Sequence, residues 1–125
     1  MTERLPPDEG ATLPAIQSAS MQQTQMVLLY KPYCPYCQSV AAAWAAAQQK
    51  TPGARTSDRA WHGIDVARHP EIMTTLLARA LPAPARPTVP QVLRLALGAV
   101  ARLDVDERGR TPERLRAFAR RPTAV

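Results

Sequence analysis

The chain has 125 residues, a formal net charge of +6 and 46% hydrophobic residues. This size fits one globular domain, no apolar segment reaches the roughly 20 residues of a membrane-spanning helix, and the first residues lack a signal peptide's apolar region. We therefore expect a cytoplasmic protein without a membrane segment, whose scattered basic residues form a solvated surface rather than a nucleic-acid site.

Polar and apolar segments divide the chain into one domain with two short extensions. Residues 1–12 are polar and contain prolines, which predicts a flexible N-terminal arm. The domain is expected over residues 13–119, followed by a C-terminal tail at 120–125. A short helix is predicted within residues 13–22, and the apolar run at 26–30 predicts the first strand.

The middle of the chain predicts a helix, a strand and a second helix. The Ala-rich stretch at 40–47 is typical of a helix, and the Pro-Gly pair and polar residues at 50–59 indicate a loop. A strand is predicted at 61–66, and Pro70 begins the next helix. The apolar residues of that helix recur at helical spacing: Ile72, Met73, Leu76, Leu77 and Ala80.

The last part of the chain predicts a hairpin and a closing helix. The prolines within 81–87 cannot continue a helix and indicate a loop. Apolar residues at 92–97 and alternating residues at 99–106 predict an antiparallel pair of strands. Thr111 is the expected N-cap of the last helix and Pro112 its first residue.

The register of this hairpin follows from its apolar faces. A pairing of Ala96 with Val100 keeps those faces together. It also places Arg94 opposite Arg102, where the two charges repel unless Asp104 offsets them.

The two cysteines of the chain, Cys34 and Cys37, stand three positions apart between the first strand and the Ala-rich helix. The first turn of a helix has unpaired N–H groups and a positive dipole end, and cysteines there or in C-x-x-C pairs ionise between about pH 3.5 and 7.5. Cys34 is therefore the expected nucleophile, with Pro35 as the first helical residue. Cys37, one turn further and more buried, is expected to resolve a mixed disulfide.

The cysteine spacing alone is compatible with a metal site as well as a redox site. A zinc site needs four ligands, and His62 and His69 are too few and too uncertainly placed to complete one with the thiols. We therefore expect no metal and no bound cofactor. Trp44 shares a helix face with Val40 and is predicted to be a core residue.

Two separated motifs carry a resemblance to a known family. Lys-Pro-Tyr-Cys-Pro-Tyr-Cys at 31–37 and Thr-Val-Pro at 88–90, with the predicted elements between them, resemble the thioredoxin-fold superfamily over residues 13–119. This resemblance implies an α/β fold with a central four-stranded mixed sheet flanked by helices. A parallel β-α-β unit would be followed by an antiparallel β-hairpin.

The resemblance also implies a dithiol-disulfide oxidoreductase with a defined substrate site. Lys31 would hold a glutathione carboxylate, the Val89 backbone would pair with the substrate as an added strand, and the bond before Pro90 would be cis. The tyrosines beside the thiols would shape the surface around the disulfide. The implied substrate-binding residues are Lys31, Tyr33, Tyr36, Thr88, Val89 and Pro90.

The sequence is similar to two branches of this superfamily. The Cys-Pro-Tyr-Cys motif is similar to glutaredoxins, but Gly98 stands alone where that branch has a Gly-Gly pair followed by an acid. The long hairpin is closer to thioredoxins, but Tyr33 replaces a tryptophan and Leu28 replaces a buried acid. Glutathione and a thioredoxin-type reductase therefore both remain candidate electron donors.

The expected function is the reduction or exchange of protein disulfides, in support of cell redox homeostasis, by a monomer. The alternative is a thioredoxin-fold binding module that docks a partner through its hairpin edge or arginine-rich surface, with secondary or no redox activity. The two differ in whether function needs the Cys34 thiol.

Overall fold

The structure, a computed structural model, describes Asp8 and residues 13–49, 61–84, 88–103 and 111–120. The predicted loop at 50–59 and the end of the predicted tail at 121–125 lie outside the described residues. So does the predicted arm at 1–12, apart from Asp8.

Four helices and five strands lie within the described residues. The helices are α1 Leu13–Ala19, α2 Pro35–Gln49, α3 Pro70–Arg79 and α4 Pro112–Arg120. The strands are β1 Gln25–Tyr30, β2 Trp61–Asp65, β3 Ala80–Leu81, β4 Gln91–Ala96 and β5 Ala99–Leu103. Among these residues, no helix has both the length and the apolar character that crossing a membrane requires.

The strands form one mixed sheet in the order β2-β1-β4-β5-β3. β1 and β2 are parallel and joined through α2, whereas β4 runs antiparallel to both β1 and β5. This confirms the predicted α/β class, with a parallel β-α-β unit followed by an antiparallel hairpin.

The sheet has five strands rather than the predicted four. The additional strand β3 pairs in parallel with β5, Ala80 opposite Val100 and Leu81 opposite Ala101. The prediction that Ala80 continues the helix and Leu81 lies in a loop was therefore wrong. Ala80 adopts an extended backbone, which lets the chain leave α3 along the open edge of β5 with the Ala80 side chain buried.

The predicted hairpin register was wrong by one residue. Ala96 pairs with Ala99 rather than Val100, because the turn contains two residues instead of three. Leu97 and Gly98 both have positive φ angles, 52° and 81°, the backbone of a two-residue turn that matches the twist of the flanking strands.

The corrected register removes the predicted repulsion between two arginines. Arg94 lies opposite Ala101, and Arg102 pairs with another residue of β4. The Arg94 side chain is buried and donates a hydrogen bond of 2.6 Å to the carbonyl of Phe118 in α4. Asp104, the predicted compensating charge, lies outside the described residues.

Helices cover both faces of the sheet, which explains why every residue of β1 and β4 is buried. α2 and α4 cover one face and α1 and α3 the other. Trp44 of α2 is 1% exposed and meets Trp61 edge to face, with ring centroids 4.8 Å apart, so its predicted core position is confirmed. On the first face the large buried side chains include Met26, Leu28, Trp44, Leu115 and Phe118, and on the second Leu29, Ile64, Leu76 and Leu93.

The start of α4 is also as predicted. The hydroxyl oxygen of Thr111 accepts a hydrogen bond of 3.2 Å from the Arg114 N–H, and Pro112 is the first helical residue. An N-cap side chain of this kind satisfies one of the N–H groups that the first turn leaves unpaired.

Candidate functional site

The candidate site lies where the central strand β1 leads into α2. β1 ends at Tyr30, and a tight turn follows in which the Cys34 N–H donates to the Lys31 carbonyl at 3.2 Å. The helix begins at Pro35, whose missing N–H would have had no partner in the first turn. Cys34 is therefore the residue immediately before the helix, as predicted.

The two thiols are free and adjacent. Cys37 is completely buried, while Cys34 is half-buried and so is the more accessible sulfur. The Cys37 N–H donates to the Cys34 Sγ at 3.3 Å. This N–H and the positive end of the helix dipole therefore meet at the Cys34 sulfur.

The buried thiol has a strongly perturbed pKa. Burial is the largest cause and the hydrogen bond with the Cys34 thiol the second, and together they raise the pKa of Cys37 from 9.0 to about 12. The Lys31 N–H, 3.5 Å from the Cys37 Sγ, and the positive charge of Lys31 oppose this increase without cancelling it. In the reduced protein, Cys37 therefore stays protonated near neutral pH.

The core beside Cys37 is apolar. Leu28 is fully buried and belongs to the same cluster as Cys37. An aliphatic side chain cannot take up a proton, so Leu28 offers the Cys37 thiol no proton acceptor.

The second predicted motif lies at the same end of the sheet. Gln91 pairs with Leu29, the last residue but one of β1. The loop before Gln91 therefore lies beside the end of β1 from which the chain turns towards Cys34. The Val89–Pro90 peptide bond is cis, as the resemblance implied. Cys34 and Val89 are both half-buried and both pack against the apolar cluster that contains Cys37.

Gln91 is a residue of this site that the sequence analysis missed. Its side chain is buried, and its Nε2 donates a hydrogen bond of 2.8 Å to the Thr88 carbonyl. A polar residue directly after Pro90 and before a mainly apolar run was the signal in the sequence. The predicted strand covers 92–97, and no role was predicted for Gln91.

The remaining predicted site residues lie at or near the surface. Tyr33 is 75% exposed and Tyr36 is 61% exposed, so both rings offer apolar surface on either side of Cys34 in the chain. Lys31 is half-buried. Thr88 is exposed, while Pro90 is half-buried.

The two histidines do not join the thiols. His62 Nε2 hydrogen bonds with the Gln25 Oε1 at 2.7 Å, and His69 Nε2 with the Asp8 Oδ2 at 3.0 Å. Across the described residues, no three His, Cys, Asp or Glu side chains come together as metal ligands would.

No protein-family model matches this chain, and no curated protein matches its sequence. The two thiols and the loop at the same end of the sheet are therefore the features from which its function is inferred.

Proposed function

We propose that this protein is a thiol-disulfide oxidoreductase in which Cys34 attacks substrate disulfides and Cys37 resolves the product. One observation carries the proposal: two free thiols lie at the start of α2, one accessible and one buried, with the Cys37 N–H 3.3 Å from the Cys34 Sγ. A pair placed in this way suits exchange rather than structural cross-linking.

The fold that we propose is of the thioredoxin type. A parallel β1-α2-β2 unit, an antiparallel β4-β5 hairpin and helices on both faces support this assignment. β3 would then be an addition at the edge of the sheet beside β5.

The proposed reaction transfers two electrons from the protein to the substrate. The Cys34 thiolate attacks one sulfur of the substrate disulfide, forming a mixed disulfide and releasing the other sulfur as a thiolate that takes up a proton. Cys37 then loses its proton, and its thiolate attacks the Cys34 sulfur. This step releases the second substrate thiol and leaves a Cys34–Cys37 disulfide, and the opposite direction uses the same groups.

The substrate would bind along the loop that precedes β4. Within the described part of the chain, the N–H and C=O of Val89 have no hydrogen-bond partner, so they are available to pair with an extended polypeptide. Thr88 and Pro90 would border this segment of substrate. The exposed rings of Tyr33 and Tyr36 would contact its side chains.

We propose two candidate electron donors that would restore the dithiol, glutathione and a thioredoxin-type reductase. Two molecules of glutathione would reduce the disulfide if the charge of Lys31 holds a glutathione carboxylate. A thioredoxin-type reductase would do so through protein contacts instead. A disulfide-containing protein is the proposed substrate in either case.

Matched replacement of the two thiols tests the proposed function. Reduced wild-type protein mixed with a disulfide-bonded peptide should convert it to the dithiol and become oxidised. Cys34→Ser should react no faster than buffer, because the remaining thiol is buried and protonated. Cys37→Ser, the same change one turn later, should instead accumulate a mixed disulfide with the peptide, which intact mass spectrometry detects.

Two outcomes contradict this assignment. One is a wild-type protein that reduces no peptide disulfide, and the other is a Cys34→Ser variant that retains the wild-type rate. Either result would favour a binding role for the domain.

A further inference from the structure

Gln91 is a buried polar side chain at the start of a strand that is otherwise nearly all apolar. The residue is 5% exposed, and burying an amide is unfavourable unless its polar atoms are hydrogen-bonded. Its Nε2 donates to the Thr88 carbonyl at 2.8 Å, a contact that spans Val89 and Pro90. The bond therefore closes a small ring around the residue proposed to bind substrate.

The two ends of this ring are held differently. The Gln91 backbone is fixed in the sheet by its pairing with Leu29 of β1. Thr88 lies outside any strand, and the Gln91 side chain ties its carbonyl to that fixed point. Val89 lies between them, and its own N–H and C=O lack partners among the described residues, so they do not orient the loop.

We infer that Gln91 is a positioning residue, which holds the Val89 backbone in the orientation needed to pair with an extended polypeptide beside the disulfide. The inference rests on the proposed function and narrows its substrate class. Disulfides flanked by peptide backbone depend on Gln91, whereas small disulfides that cannot pair as a strand do not.

The test compares Gln91→Met with Gln25→Met. Methionine has a similar length but no N–H donor, so the Thr88 carbonyl loses its partner. Gln25 is the control because it is 3% exposed and starts β1 at the end of the strand away from Cys34. Its side chain donates to the Gln23 carbonyl at 2.9 Å and also hydrogen bonds with the His62 Nε2 at 2.7 Å. Each reduced protein is mixed in single turnovers with a disulfide-bonded peptide and, separately, with bis(2-hydroxyethyl) disulfide.

For Gln91→Met, the peptide concentration at half-maximal rate should rise about five- to tenfold, the range expected for loss of one hydrogen bond that orders the binding segment. The maximal rate and the reaction with bis(2-hydroxyethyl) disulfide should change less than about twofold, because Cys34 and Cys37 are untouched. Gln25→Met should match the wild type with both substrates.

Three results would overturn the inference. Gln91→Met could leave the peptide concentration at half-maximal rate unchanged, or it could slow the reactions with the peptide and with bis(2-hydroxyethyl) disulfide equally. In the third, Gln25→Met would raise the peptide concentration at half-maximal rate as much as Gln91→Met does. Failure of the proposed function is distinguishable, since the wild type would then reduce neither substrate. Should Gln91→Met not fold by circular dichroism, Gln91→Leu replaces it. A leucine side chain likewise cannot donate to the Thr88 carbonyl and should give the same selective loss.

Discussion

At the scale of single residues, the contrast between the two thiols sets the chemistry of the site. Cys37 has no exposed surface and a pKa raised to about 12, mainly by burial. Cys34, three residues earlier, is half-buried at the helix start. In the proposed reaction the substrate would therefore meet Cys34 first, and Cys37 would act only after it loses a proton inside the core.

The raised pKa predicts how stability depends on pH. An unfolded cysteine ionises near 9.0, whereas folded Cys37 keeps its proton until about 12. The folded state therefore has its full stability relative to the unfolded state below pH 9. It loses stability as the pH rises towards 12, because Cys37 of the unfolded state releases its proton first. Under reducing conditions, the free energy of unfolding should fall by up to about 1.4 kcal/mol per pH unit in this window.

Urea titrations of reduced wild type and Cys37→Ala between pH 8 and pH 11 measure this dependence. The alanine variant keeps every other titrating group and serves as the control. If the free energy of unfolding changes with pH in the same way for both proteins, burial does not raise the pKa of Cys37.

At the scale of elements, the β4-β5 turn has an unfavourable residue in its first position. Leu97 has a φ of 52° and is 60% exposed, so little burial compensates for the left-handed backbone. Left-handed backbone costs an ordinary L-residue about 1–2 kcal/mol, and two-residue turns of this type favour Asn followed by Gly. Gly98 already satisfies the second position.

Leu97→Asn should therefore stabilise the protein by about 0.5–1 kcal/mol, since Asn tolerates this backbone and little apolar contact is lost. Leu97→Ala is the control, because it also removes the exposed side chain but has no preference for left-handed backbone. Equilibrium urea unfolding at pH 7 measures both. Equal effects of the two replacements would mean that the side chain, rather than the backbone, sets the stability of the turn.

At the scale of the whole molecule, Arg94 joins the sheet to the closing helix. Its Nη1 donates to the Phe118 carbonyl at 2.6 Å, and its guanidinium carbon lies 4.8 Å from the centre of the Phe118 ring. These contacts lie between residues 24 positions apart. They hold α4 against the face of the sheet that α2 also covers.

Arg94→Met should lower the free energy of unfolding by about 2 kcal/mol, because the buried Phe118 carbonyl loses a charged donor. Arg102→Met in the neighbouring strand is the matched control. Arg102 donates to the Pro82 carbonyl at 2.7 Å in an exposed contact, so its replacement should cost less than about 1 kcal/mol. Thermal and urea unfolding give both values, and equal losses would contradict a special role for the buried arginine.

Much of the architecture could be predicted because its signals are local. The apolar run of β1, the helical spacing in α3 and the Thr-Pro start of α4 each depend on residues close in the chain. The hairpin register could not be predicted in the same way. It depends on the backbone angles of Leu97, a residue without the usual preference for a positive φ.

The sequence by itself determined the α/β class, the order of the main elements and the position of the two thiols at the start of α2. Those features follow from periodicity, prolines and spacing, which act over a few residues. Only the tertiary structure decided the fifth strand, the hairpin register, and the contacts of Gln91 and Arg94. The fifth strand and the Arg94 contact depend on which backbone groups lack a partner once distant segments are brought together. The hairpin register and the Gln91 contact depend instead on backbone conformations, at Leu97 and at the loop before β4, for which the local residues show no usual preference.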